Sequence, residues 1–124
     1  MIKKIFITLF FFLYVSANAV EKKTNFSIET FEKAKASGKT IVINSYEVWC
    51  GTCSKQTKVL DQAEKEFNEI IFLSYEQSKN KDIANKLNIK HWTTIVVYKG
   101  NNEVSRIIGQ TKKETIYSTI KEGI

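Results

Sequence analysis

The chain of 124 residues contains two cysteines, Cys50 and Cys53, and only two residues separate them. An apolar run at residues 41–43 precedes the pair, and apolar residues with helical spacing follow it. A thiol at the start of a helix lies near free backbone N–H groups and the positive end of the helix dipole, and both lower its pKa. The pattern therefore predicts a buried strand that leads into a helix whose first turn holds a reactive dithiol.

A disulfide across so short a segment would stabilise a fold only weakly. Cross-linking Cys50 to Cys53 closes a four-residue segment, which removes little entropy from the unfolded chain. A structural disulfide would gain more by closing a longer loop. The spacing therefore favours thiol chemistry over a structural role.

The first 19 residues have the composition of a secretory signal peptide. They begin with the positive pair Lys3-Lys4, continue with an apolar stretch at 5–15, and end in the small residues Ala17-Asn18-Ala19. Eleven residues fall well short of the roughly 20 that span a bilayer, so an uncleaved anchor is the less favoured alternative. We predict a signal peptide at 1–19, one domain at 20–124, and a periplasmic or secreted location.

The charge of the chain indicates a solvated surface and no nucleic-acid partner. Removing Lys3 and Lys4 lowers the formal net charge from +6 to +4, and the remaining lysines are interleaved with acidic residues. Neither a repeat nor a linker divides the remaining 105 residues, which suffice for one small domain with a core.

Hydrophobic spacing predicts elements in the order α-β-α-β-α-β-β-α, with a possible weak first strand at 21–26. Ser27 is a suitable cap for the first helix, and residues 111–114 form a capping box for the last. The continuous apolar run at 70–75 suits a central strand covered on both sides. We expect a mixed α/β sheet of four to five strands with helices on both faces.

Two segments resemble the thioredoxin family. Ile43-Asn44-Ser45-Tyr46-Glu47-Val48-Trp49-Cys50-Gly51-Thr52-Cys53 is similar to the family's strand, tryptophan and Cys-Gly-Pro-Cys site. Trp92-Thr93-Thr94-Ile95-Val96-Val97-Tyr98-Lys99 resembles the family's Ile-Pro-Thr, apolar strand and lysine, and Gly109 resembles the glycine before its last helix. With the same order of elements over residues 26–120, the resemblance implies a thioredoxin-like fold.

The resemblance also implies an activity. An exposed Cys50 would attack a protein disulfide, and the more buried Cys53 would resolve the mixed disulfide. A monomer without cofactor or metal is expected, recharged by a membrane thiol relay and acting as a reductant. The alternatives are a dithiol oxidant, and a non-catalytic module of the same fold that binds a partner or captures metal.

The resemblance further assigns roles around the cysteines. Trp92 and Thr93 would bind an extended substrate segment through their backbone. The neutral pair Gly51-Thr52 supports the preference for a reductant, because it holds no histidine of the kind found in strongly oxidising relatives. The residues that would shape the thiols' surroundings are Asn44, Trp49, Gly51 and Thr52.

At two places the chain departs from the family pattern. Asn44 replaces a buried aspartate associated with proton transfer at the resolving thiol, and Ser74 replaces its lysine partner. We therefore expect slow resolution of the mixed disulfide unless Glu47 or a water supplies the proton. Thr93 replaces a cis-proline, which leaves both a trans and a cis Trp92–Thr93 bond open.

For three residues near the site, the sequence favours an ordinary structural role. Trp49 should be a packing residue, Glu47 should be solvated, and His91, the one histidine, should be a loop residue.

Overall fold

The computed structural model describes residues 25–124. The predicted signal peptide at 1–19 lies outside the described residues, as does most of the possible strand at 21–26. Between residues 25 and 124, no helix is long and apolar enough to cross a membrane.

The elements follow the predicted order, with one additional 3₁₀ turn. The helices are α1 (Ile28–Ala36), α2 (Gly51–Glu66), α3 (Lys81–Lys86) and α4 (Lys113–Lys121), and the 3₁₀ turn is Gln77–Lys79. The strands are β1 (Thr40–Tyr46), β2 (Ile71–Glu76), β3 (Thr94–Lys99) and β4 (Asn102–Ile108).

The four strands form one mixed sheet in the order β2-β1-β3-β4. β1 pairs in parallel with β2 and antiparallel with β3, so Asn44 lies between Ser74 and Ile95. β1, the strand that leads to the cysteines, is thereby held on both sides. The sheet confirms the predicted mixed α/β architecture.

The prediction that residues 70–75 form a central strand is wrong. β2 lies at the edge of the sheet, and its outer side carries only an isolated parallel bridge from Asn25 to Ser74 within the described residues. The apolar run is nevertheless covered on both faces, because Leu73 and Tyr75 enter one core while Phe72 packs against the other. A run of this kind reports burial of the two faces and not position in the sheet.

Two hydrophobic cores sandwich the sheet, one on each face. Along β1, Ile41 and Ile43 face the core that contains α1 and α3, and Val42 faces the core that contains α2 and α4. This alternation follows from the two-residue period of a strand. The predicted helices on both faces of the sheet are therefore confirmed.

The two predicted helix caps have different outcomes. Ser27 caps α1, since its Oγ accepts a hydrogen bond of 3.0 Å from the backbone N–H of Thr30. The capping box at 111–114 is wrong, because Lys112 is the N-cap of α4 and makes no side-chain cap bond. Lys112 has extended backbone angles (φ −74°, ψ 131°), so Thr111 lies outside the helix.

Arg106 on β4 fastens the end of α3 to the sheet. Its guanidinium donates to the carbonyl oxygens of Leu87 and Asn88, both at 2.8 Å, and pairs with Glu103 at 2.7 Å. The pairing with Glu103 raises the pKa of Arg106 further, so these hydrogen bonds remain charged at every ordinary pH. Asn88 has a left-handed backbone (φ 53°), and Arg106 thus holds the turn that ends α3.

We predict that Arg106→Met lowers the free energy of unfolding by about 1–3 kcal/mol, because two carbonyl groups lose charged donors. Denaturant unfolding of both proteins measures the difference. Lys99→Met, which changes an exposed lysine on the neighbouring strand, is the control and should stay within about 0.5 kcal/mol of the original protein. Equal effects of the two substitutions would contradict the role given to Arg106.

Candidate active site

The two cysteines lie where β1 passes into α2. β1 ends at Tyr46, a short loop follows, and α2 begins at Gly51 with Cys50 as its N-cap. Cys50 and Cys53 are joined by a disulfide, and their Cα atoms are 5.2 Å apart. The Sγ of Cys50 accepts a hydrogen bond of 3.1 Å from the backbone N–H of Cys53. The expected placement of the pair at the first turn of a helix is therefore confirmed.

The cysteines differ in exposure, although less than the sequence predicted. Cys53 is 2% exposed and Cys50 is 9% exposed, so their order is as expected but Cys50 is nearly covered. The Sγ of Cys50 turns inward onto the first turn of α2, towards Cys53 and its N–H. In this disulfide form Cys50 is therefore not the exposed sulfur that the resemblance implied.

The segment Trp92-Thr93 has a trans peptide bond, since no cis bond occurs between residues 25 and 124. Thr93 adopts a left-handed backbone with φ 70°, which is rare for a β-branched residue. Its N–H donates to the carbonyl oxygen of Ser45 at 2.9 Å, and its own carbonyl oxygen accepts from the N–H of Gly109 at 3.0 Å. The backbone of Thr93 is thus already paired inside the protein, which narrows the expected backbone pairing with substrate to Trp92.

Trp92 keeps its backbone groups free within the described part of the chain. The structure shows no protein partner there for its N–H or its C=O, and the residue is 41% exposed. The preceding carbonyl, that of His91, accepts hydrogen bonds from the side chains of Ser45 (2.8 Å) and Thr94 (2.6 Å). His91 therefore contributes its backbone to this loop, and its side chain is exposed.

The prediction that Trp49 is a packing residue needs correction. Trp49 is 67% exposed, and its ring meets that of Trp92 edge-on with 5.2 Å between the ring centres. Val48 beside it is also exposed. Val48, Trp49 and Trp92 together form an exposed apolar patch next to the disulfide. Trp49 is exposed because it lies on the turn between β1 and α2, which projects beyond the end of the sheet.

Asn44 and Ser74 are in contact, as the resemblance to the family's aspartate–lysine pair implies. The Oγ of Ser74 donates to Oδ1 of Asn44 at 2.6 Å, and Asn44 is buried. The amide nitrogen of Asn44 has no hydrogen-bond partner among the residues described. A neutral pair thus occupies two adjoining buried strands, and no unpaired charge is buried there.

The expectation that Glu47 is solvated is wrong. Glu47 is only 5% exposed, and its carboxylate accepts hydrogen bonds from the N–H (2.6 Å) and the Oγ (3.0 Å) of Ser78. These donors on the 3₁₀ turn replace the water that a loop glutamate would otherwise bind. Its backbone carbonyl accepts from the N–H of Cys50 at 3.2 Å, so Glu47 fixes the loop before the disulfide.

The two residues between the cysteines differ in their surroundings. Gly51 is exposed, and a Cβ at this position would meet no atom within 4 Å. Thr52 is half-buried. Gly51 is therefore not required by close packing of the protein itself.

Gln56 is a residue of the site that was not predicted from the sequence. It lies on the buried face of α2 with Cys53, Leu60 and Ala63 and is itself fully buried. Its side-chain nitrogen donates to the carbonyl oxygens of Thr93 (3.0 Å) and Gln110 (2.9 Å). A glutamine on the apolar face of a helix, three residues after Cys53, was the signal that could have revealed it.

No group of three or more histidine, cysteine or acidic side chains that could hold a metal ion occurs among residues 25–124. The chemistry that the arrangement itself supplies is that of a disulfide capped by a backbone N–H.

Comparisons with known proteins agree with this geometry. The family model for thioredoxin matches residues 19–122. A thioredoxin H-type from Fagopyrum esculentum is 35% identical over 89 residues, which cover 72% of this chain and 77% of that protein. Thioredoxin-2 from Saccharomyces cerevisiae is 27% identical over 84 residues, covering 67% of this chain and 81% of that protein.

Solved structures show the same fold. The crystal structure of Trxlp from Edwardsiella tarda superposes with a TM-score of 0.75 at 21% identity, over 78% of this chain and 96% of that one. Fasciola hepatica thioredoxin gives a TM-score of 0.69 at 25% identity, over 77% and 90% of the two chains. The close cysteine pair, the fold and these similarities together establish that the chain belongs to the thioredoxin family and is a thiol-disulfide oxidoreductase.

Proposed function

We propose that this protein is an exported reductant of protein disulfides, with Cys50 as the attacking cysteine and Cys53 as the resolving one. The observation that carries the assignment is the hydrogen bond from the Cys53 N–H to the Cys50 Sγ at the N-cap of α2. A donor aimed at sulfur stabilises the thiolate over the thiol and lowers the thiol pKa. Cys53, inside the helix, contributes this donor, and within residues 25–124 no backbone N–H donates to its own Sγ.

The first step is attack by the Cys50 thiolate on one sulfur of a substrate disulfide. The substrate S–S bond breaks while a new S–S bond to Cys50 forms, and the departing substrate thiolate takes a proton from solvent. Cys53 is the less exposed of the two cysteines and is therefore less accessible to the substrate disulfide. The product is a mixed disulfide between Cys50 and the substrate.

In the second step Cys53 gives its proton to solvent, and the resulting thiolate attacks the Cys50 sulfur. The mixed disulfide breaks, the second substrate sulfur leaves as a thiolate that is then protonated, and the Cys50–Cys53 disulfide forms. Two electrons have then passed from the dithiol to the substrate. The end state of this sequence is the disulfide form seen in the structure.

Substrate recognition is assigned to the surface around Trp92. An extended substrate segment would pair with the free N–H and C=O of Trp92, as in strand addition. The apolar patch of Val48, Trp49 and Trp92 would cover the substrate on either side of its disulfide. Both features are properties of a site for polypeptide and not for a small thiol alone.

We also propose that the protein is exported and that electrons pass from its dithiol to the substrate. The predicted signal peptide at 1–19 supports a periplasmic or secreted location, where disulfides form and persist. A reductant working there needs a source of electrons across the membrane, and a membrane thiol relay is the partner of suitable chemistry. The protein would act as a monomer.

The assignment of the two cysteines predicts distinct variants. Cys50→Ser should lower insulin reduction by dithiothreitol to the uncatalysed rate, because no attacking sulfur remains. Cys53→Ser should also lose turnover but should retain substrate in a stable mixed disulfide, detected as a band that a reducing agent removes.

Ser54→Ala, on the exposed side of the same helix, is the control and should keep full activity. Catalysis by Cys50→Ser above background would refute the role of Cys50. If Cys53→Ser captures no substrate, the assignment of Cys50 as the attacking cysteine and Cys53 as the resolving one would be contradicted. A non-catalytic binding module would then be favoured.

The neutral Asn44–Ser74 pair predicts a change in pH dependence on Asn44→Asp. Burial raises the pKa of a carboxyl group, so the new aspartate should titrate above the ordinary value of about 3.9. The pH profile of insulin reduction should gain an ionisation, and resolution of the mixed disulfide should become faster on its alkaline side. The free energy of unfolding of Asn44→Asp should fall as pH rises from about 3.9 through the raised pKa, because the folded state disfavours the charged aspartate.

The control for this experiment is Asn101→Asp, which adds the same charge in the exposed β3–β4 turn. It should leave the pH profile unchanged. If Asn44→Asp also leaves it unchanged, the idea that a titrating group at this position limits resolution is wrong.

The proposed direction predicts a low reduction potential. Equilibration with glutathione should give a value near that of thioredoxins, about −270 mV, since Gly51-Thr52 places no charge beside the dithiol. Each 30 mV corresponds to about 1.4 kcal/mol for two electrons. A potential near about −120 mV would instead identify an oxidant.

A further inference from the structure

Gln56 links α2, the helix that carries the cysteines, to the loop of Trp92 and Thr93, which is proposed to bind substrate. It lies one turn after Cys53, and its Nε2 donates to the carbonyl oxygens of Thr93 at 3.0 Å and of Gln110 at 2.9 Å. One amide therefore holds two loops that are 37 and 54 residues away in the sequence.

Thr93 is the residue in this loop whose backbone conformation needs support from its neighbours. Its φ of 70° lies in the left-handed region, where the Cβ of an L-residue crowds the backbone, and a β-branched side chain tolerates it poorly. Such a conformation persists only where the surroundings impose it. Here they are the carbonyl of Ser45, the N–H of Gly109 and the amide of Gln56.

The amide group of Gln56 is needed neither to fill the core nor to give the Thr93 carbonyl a hydrogen-bond donor. The Thr93 carbonyl already accepts from Gly109, and Oε1 of Gln56 is buried without a hydrogen-bond partner among the described residues. An apolar side chain of similar volume would avoid burying that oxygen. The donors of Gln56 thus act as an added restraint on the loop.

We propose that Gln56 is a positioning residue for protein substrates: it fixes the left-handed Thr93 so that the free backbone of Trp92 faces the disulfide. This rests on the proposed pairing of substrate with Trp92. The hydrogen bonds of Gln56 go to the two loops and not to either sulfur, so its action passes through the loop. Its loss should therefore affect a polypeptide that pairs along Trp92 and spare a small disulfide that needs only the sulfur of Cys50.

The test compares Gln56→Met with the original protein on two substrates, insulin and a small aromatic disulfide. Methionine has a similar volume but no donor. For insulin, kcat/KM should fall about tenfold, mainly through a higher KM, because the loop no longer presents Trp92 in one place. For the small disulfide, the rate should change less than about twofold, within the effect of a distant substitution.

The matched control is Gln62→Met on the exposed face of the same helix, which should leave both rates unchanged. An equal loss on both substrates after Gln56→Met, or no loss on insulin, would overturn the proposal. If Gln56→Met does not fold, Gln56→Asn, whose shorter amide falls short of both carbonyls, is measured against the same two criteria. Failure of the original protein to reduce insulin would instead refute the proposed function.

A second measurement separates positioning from general loosening of the core. In a Thr93→Gly background the left-handed conformation no longer carries the penalty of a side chain. The effect of Gln56→Met on the KM for insulin should therefore shrink to less than about threefold there. An undiminished effect would show that Gln56 does not act through Thr93.

Discussion

The hydrogen bond from the Cys53 N–H to the Cys50 Sγ is the interaction on which the site depends. It exists because Cys50 is the N-cap of α2, at the place where a helix offers unpaired N–H groups. The same donor that caps the sulfur in the disulfide is in position to stabilise a thiolate once the bond is reduced. The fold's contribution is to hold this helix end at the tip of β1, a strand paired on both sides.

A second constraint is that the pair formed by Asn44 and Ser74 on the adjoining strands β1 and β2 is neutral. Asn44 and Ser74 satisfy one another in part, and a buried ion pair with its desolvation cost is avoided. The proton balance of the second step must then be met by other means. The carboxylate oxygens of Glu47 are turned towards Ser78, whose N–H and Oγ both donate to them. We propose that solvent reaching the mixed disulfide accepts the proton of Cys53.

The sequence predicted the elements and the reactive pair well, because both depend on local patterns. Cys50 and Cys53 follow an apolar strand and begin an amphipathic helix, which determines their placement without knowledge of distant residues. The edge position of β2 could not be predicted in this way, because burial on both faces says nothing of neighbours within a sheet. Gln56 was missed and the burial of Glu47 was not predicted for a related reason, since their partners on other loops are far away in the chain.

The ionisation of Cys50 tests the account most directly. In the reduced protein, the rate of alkylation by iodoacetamide is measured against pH at each cysteine by mass spectrometry of the peptides. We predict that Cys50 titrates with an apparent pKa below the ordinary thiol value of about 8.5, because the Cys53 N–H stabilises its thiolate, while Cys53 stays unreactive at the pH values where Cys50 reacts. Two thiols that both titrate at or above about 8.5 would contradict it.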